Sequence, residues 1–200
     1  LSRLAETLLT LLDENQEAAV NVAHEVLEAY AERYETEWLS GMREKCGLTA
    51  CSDAESDEDK SLIEELLDVM ADNRADFTLT FYFLSRLGDV PSDQDDDLRD
   101  LFENPAQIDA WLEKWRKRAG LETQGGEARQ ESMQSVNPVY IPRNHQVEAA
   151  IRAAEDEGDL SVFHELHAVL QNPFVEQEGK ERYMLAPEPE EVVEYTFCGT

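Results

Sequence analysis

Apolar side chains recur at helical spacing through most of this chain, and that period leaves little room for any fold but a helical one. Leu1, Leu4, Leu8, Leu11 and Leu12 share one stripe. Val20, Ala23, Leu27, Tyr30, Tyr34, Trp38 and Met42 continue at the same spacing for more than six turns. Gly47 is the expected stop. A helix carrying Leu62, Leu66, Val69 and Met70 follows. Another starts at Asp76, which can cap its first turn, and carries Phe77, Thr80, Phe81 and Leu84. Asn104-Pro105 opens a helix with Ile108, Trp111, Leu112 and Trp115. Only Val192 to Phe197 hints at the two-residue period of a strand. Between the helices, Ser52 to Asp59 and Gly88 to Asp97 read as acidic loops, and Gly120 to Gly126 as a linker.

Charge narrows the function. Lys and Arg total 17 against 45 Asp and Glu, a net charge of −28. Such a surface repels nucleic acid and anionic membranes. Acid-rich composition with only 5 Lys among the basic residues suits a protein hydrated in concentrated salt, so a halophilic source is expected. No apolar run approaches the roughly 18 residues of a membrane span. The chain opens on Leu1 without a leader pattern, as a piece cut from inside a longer chain would. Cys46, Cys51 and Cys198 match no zinc spacing, and a reduced, cytoplasmic setting is expected.

Single residues that suggest chemistry have structural readings beside them. His164 and His167 lie three apart on one helix face but lack further ligands for a metal. Trp38, Trp111 and Trp115 fit a core better than a base-stacking platform. The clusters at Asp53 to Asp59 and Asp93 to Asp97 lack the Gly and terminal Glu of a calcium loop. No metal site is expected.

Residues 133–174 form a helical hairpin on physical grounds. Asn137 precedes Pro138 and is pushed out of helical geometry. Pro142 and Asn144 favour a helix start. Val147, Ala150, Ile151 and Ala154 make a narrow apolar stripe, and Gly158 stops the helix. Asp159 or Ser161 can cap the second helix, expected to bury Leu160, Phe163, Leu166 and Leu170 before Asn172-Pro173 ends it. The run Ala149 to Leu170 also resembles an ankyrin-type helix pair, but no second copy recurs about 33 residues away.

The wording of this stretch goes further than its period. Met133 to Pro138, Arg143-Asn144, Ala150-Ile151, Ala153-Ala154-Glu155, Gly158-Asp159 and Asn172-Pro173-Phe174 closely resemble the C-terminal region of the selenoprotein O family, also called the YdiU family. Upstream, Arg3-Leu4-Ala5, then Tyr34, Trp38, Met42-Arg43, Lys45 and Gly47-Leu48, then Leu67, Met70, Asp76-Phe77-Thr78, Phe81 and Leu84-Ser85 resemble further family segments. The ending Cys198-Gly199-Thr200 resembles the family's terminal Cys or selenocysteine followed by two small residues. Pro142 and His145 depart from the family's usual apolar and aromatic residues.

The resemblance implies a mostly α chain: the helical C-terminal portion of a protein-kinase-like fold, with an extended C-terminal tail. It divides as a helical extension over 1–121, the hairpin signature over 122–174 and an acidic tail over 175–200. It implies a protein adenylyltransferase that moves AMP from ATP to Ser, Thr or Tyr hydroxyls with Mg, its partners being its own N-terminal kinase-like core and protein substrates. The Gly-rich loop, strand-borne Lys and Asp-Phe-Gly element of that chemistry do not occur in these residues, so no catalytic residue is assigned here and the segment alone is expected to be inactive. What the resemblance leaves to this segment is structure, with Asn137, Arg143 and Asn144 as lobe-packing candidates, Arg143 and Asn144 reading equally as local caps and salt bridges, and redox control through Cys198, whose plain reading is an exposed tail thiol without a role. The rival reading is a helical adaptor without enzymatic activity.

Overall fold

The computed structural model describes residues 1–49 and 53–193. The chain divides into a unit spanning Leu1–Arg43 and a second beginning at Glu44. Every regular element among the described residues is helical.

In the first unit, α1 (Ser2–Leu12) buries none of its residues. Its leucine stripe is present as the sequence predicts, yet Leu1, Leu4 and Leu11 are exposed by 66%, 57% and 80%. The next helix, α2 (Gln16–Cys46), is capped by Asn15, whose Oδ1 accepts from the amides of Glu17 and Ala18. It stops at Gly47, which adopts a left-handed φ of 65°. A Cβ there would stand 2.6 Å from Cγ of Arg129 and 2.7 Å from Sδ of Met133, so glycine is needed for space as well as conformation.

The second unit is built on α3 (Asp53–Asn73), α4 (Phe77–Leu84), α5 (Asp95–Arg99) and α6 (Pro105–Ala119), with α3 against α6 and α5 against both α4 and α6. One expected loop is helical, and the other is a loop only over residues 88–94. Asp53 to Asp59 is helix, the first part of α3. Asp59 is fully buried and accepts from Arg118 Nε at 2.7 Å. The Gly88 to Asp97 stretch contains the start of α5, held by buried Leu98 and by Asp95, which pairs with Arg116 at 2.8 Å.

Trp111 and Trp115 are fully buried and stacked, with ring centroids 6.2 Å apart. Each indole N–H finds a backbone acceptor, Leu62 O at 2.8 Å and Cys46 O at 2.9 Å. At about 25 cal/mol per Å² over an area of roughly 200 Å², each ring contributes about 5 kcal/mol of burial. The core reading of these two tryptophans therefore holds; Trp38 stays half-buried.

Beyond α6 come α7 (Gly126–Val136), α8 (Asn144–Glu157) and α9 (Ser161–Leu170). The hairpin of α8 and α9 turns at Gly158, again left-handed, and Asp159 accepts from the Ser161 amide. Pro173 O accepts from the amides of Val139 and Tyr140, which ties the end of the hairpin to its entry. A second core gathers Tyr82, Val139, Tyr140, Leu166, Val169 and Tyr183. Its last member lies in the acidic C-terminal stretch, so part of that stretch is docked. Glu176 accepts from Tyr82 Oη at 2.7 Å and from Arg86 Nη2 at 2.6 Å. Lys180 and Arg182 grip Glu165 from α9. Of the suspected strand, Val192 and Val193 carry no regular structure, and the remainder lies outside the described residues.

Candidate functional site

The hairpin signature meets the rest of the second unit through buried charge. Arg143, the residue before α8, is 7% exposed and donates in parallel to both carboxylate oxygens of Asp76, Nη1 to Oδ2 at 2.7 Å and Nη2 to Oδ1 at 3.0 Å. Asp76 Oδ1 also accepts from the Leu79 amide at 2.8 Å, capping α4 as its sequence position predicts. One carboxylate thus joins the starts of two helices that stand 67 residues apart in sequence. Burial raises the Asp76 pKa, but the Arg143 hydrogen bonds and the amides of α4 outweigh it and hold the group below the usual carboxylate range.

Asn137 makes the second junction. It is 2% exposed; its Nδ2 donates to Lys45 O at 2.9 Å and its Oδ1 accepts from Lys45 Nζ at 3.2 Å. Lys45 Nζ also donates to Val136 O, so the end of α2 is locked to the end of α7. Burial pulls the Lys45 pKa down. Of the three packing candidates, Arg143 and Asn137 hold the second unit together, whereas Asn144 is exposed at the first position of α8. Cys198, the redox candidate, lies outside the described residues, as does Cys51.

Sequence reasoning passed over three further paired cations, one buried and two partly buried. Arg118 spans Asp59 and Glu122. Arg116 pairs with Asp95. Arg129, 2% exposed, pairs with Asp89 and lies over the Trp115 ring at 5.4 Å. The local signal was the glycine at position 47, whose missing side chain makes room for Arg129. The carboxylates of these pairs are engaged by guanidinium groups rather than free to act as bases. The Cys46 thiol is fully buried, and burial pushes its pKa up to about 12, which keeps it protonated and unreactive. Among the described residues no group of three His, Cys, Asp or Glu could hold a metal ion. His167 instead stacks on Phe163, with centroids 6.1 Å apart.

The other face of the hairpin is open. A groove of about 370 Å³ runs between α8 and α9, lined by Val147, Ala150, Ile151 and Ala154 on one wall and by Leu160, Phe163, Leu166 and Leu170 on the other. Leu160 and Phe163, expected to be buried, are 53% and 50% exposed. The reason is geometric: α9 turns Leu166 and Val169 toward the second core, and no described element of the second unit covers the wall beyond them.

Arginine–carboxylate pairs and the Asn137–Lys45 junction tie a helical hairpin to the other helices of the second unit. The family model "Protein adenylyltransferase SelO" matches residues 1–171. The chain is 47% identical over all 200 residues to "Protein nucleotidyltransferase YdiU" of Rhodopseudomonas palustris strain BisB5, and 44% identical to the protein of that name from Rhizobium meliloti. It is 45% identical over 201 residues to the one from Bradyrhizobium diazoefficiens. In each case it covers 100% of this chain and 40% of the relative's length. This chain belongs to the SelO/YdiU family of protein nucleotidyltransferases and corresponds to the C-terminal part of its relatives. No helix of the described residues is long and apolar enough to cross a membrane.

Proposed function

We propose that the chain serves as the helical C-terminal region of a cytoplasmic protein adenylyltransferase, one that moves AMP from ATP to Ser, Thr or Tyr hydroxyls of proteins. ATP and Mg belong, in this reading, to a kinase-like portion of the protein that the family carries N-terminal to these residues. The observation that carries the reading is the 47% identity over all 200 residues to a nucleotidyltransferase in which they make up 40% of the length. The geometry agrees with a scaffolding share of the work. The buried acids Asp59 and Asp95 are engaged by arginines, and the leucine stripe of α1 stands exposed as a face for the kinase-like portion. Cys198 adds redox control by forming a disulfide with a cysteine of that portion through exchange with an external disulfide, which takes up the two electrons and two protons and leaves as two thiols.

The test compares the parent protein, the parent truncated before Leu1, and this chain, each given Mg and ATP labelled at the α-phosphate. Label should enter protein only with the intact parent. Label incorporated by this chain alone, or none by the parent under either reducing or oxidising conditions, overturns the proposal. The second result would favour the helical adaptor.

A further inference from the structure

We infer that the groove between α8 and α9 is a docking site for a basic amphipathic helix of a protein partner. Three features of the groove choose that occupant. Its walls are two antiparallel helices, one lined by the small side chains of Ala150 and Ala154, which lets a third helix approach closely. From Val147 to Ala154 it runs about 10 Å along α8, the span of apolar anchors at i, i+3 or i+4, and i+7. Its rims, Ile151 and Phe163, are 44% and 50% exposed, so large apolar surface is already in place to meet those anchors.

Charge decides the sign. Glu155, Asp156 and Glu157 crowd the last turn of α8, and Asp159 follows, all exposed. The N-terminus of antiparallel α9 stands at the same end and offsets the dipole of α8, so the negative sign comes from these four carboxylates; no basic residue stands in that turn of α8. Arg152, one turn earlier, is engaged mainly with Glu148 at 2.8 Å, and reaches Glu155 only at 3.9 Å. Lysine or arginine on the incoming helix meets this end favourably. A second copy of the chain, or an anionic bilayer, brings more negative charge to a molecule of net charge −28.

The probe is a fluorescent peptide of about 15 residues, long enough for four turns, with Leu at the anchor positions and Lys elsewhere. Anisotropy titrations against the whole chain should give saturable binding. A scrambled peptide of the same composition should bind at least tenfold more weakly. Ile151→Glu and Phe163→Glu, both at exposed rims and checked for an unchanged melting temperature, should each weaken binding at least tenfold. Neutralising the last turn with Glu155→Gln, Asp156→Asn and Glu157→Gln should weaken it several-fold and flatten its salt dependence. Equal binding of the scrambled peptide, or indifference to the rim variants, overturns the site. So does sedimentation showing self-association that Phe163→Glu abolishes, which would make a second copy the occupant. Binding to this chain but not to the intact parent also overturns it, since the parent's own residues would then fill the groove.

Discussion

Replacing Arg143 with Met keeps most of the side chain's volume and deletes the double hydrogen bond to Asp76. Breaking a buried ion pair by removing one partner costs about 3–5 kcal/mol when the other charge is stranded. Asp76 is not wholly stranded. Its side chain is 20% exposed, and it keeps the 2.8 Å bond from the Leu79 amide at the positive end of α4. The expected loss at neutral pH is therefore about 2–3 kcal/mol. The pH dependence follows from the depressed pKa of Asp76. A carboxylate with a lowered folded-state pKa contributes stability that is present above its unfolded value, near 4, and is lost as pH falls through the folded value. The gap between wild type and Arg143→Met should thus be full at pH 7 and shrink below about pH 4. Urea unfolding, followed by the fluorescence of the buried tryptophans and by helical circular dichroism, measures it. Asp76→Asn retains a good helix cap, so the double variant should lose less than the sum of the single losses. A neutral-pH loss under about 1 kcal/mol, or a gap unchanged by acid, would refute the assignment of this pair as the hairpin's anchor.

Two of the left-handed glycines, Gly47 and Gly158, should respond differently to alanine. Gly158→Ala meets nothing within 4 Å and should cost about 1 kcal/mol of backbone strain. Gly47→Ala must in addition displace Arg129 and Met133, so its melting temperature should fall markedly further; equal losses would show that the close approach does not matter. Molar KCl should raise the melting temperature of the chain by screening the self-repulsion of its −28 charge, and a melting temperature flat or falling with salt would remove the case for a halophilic source.

What the sequence determined by itself is what short-range geometry controls. Helical period, the Asp76 cap, the Asn104-Pro105 entry and the stops at Gly47 and Gly158 each depend on a few neighbouring residues, and each stands where the sequence places it. The wording of residues 133–174 likewise sufficed for the family. Tertiary structure alone decided the rest. The acidic run from Asp53 reads as solvated loop until Arg118, 59 residues beyond Asp59, is brought against it. Arg143 read as a lobe contact, a cap or a salt-bridge partner, and only the fold put Asp76 beneath it. The apolar period marked Leu160 and Phe163 as one face of a helix, but a period records which side is apolar and not whether anything covers it. Pairing charges and covering faces are properties of distance in space, and a local pattern holds no measure of that distance.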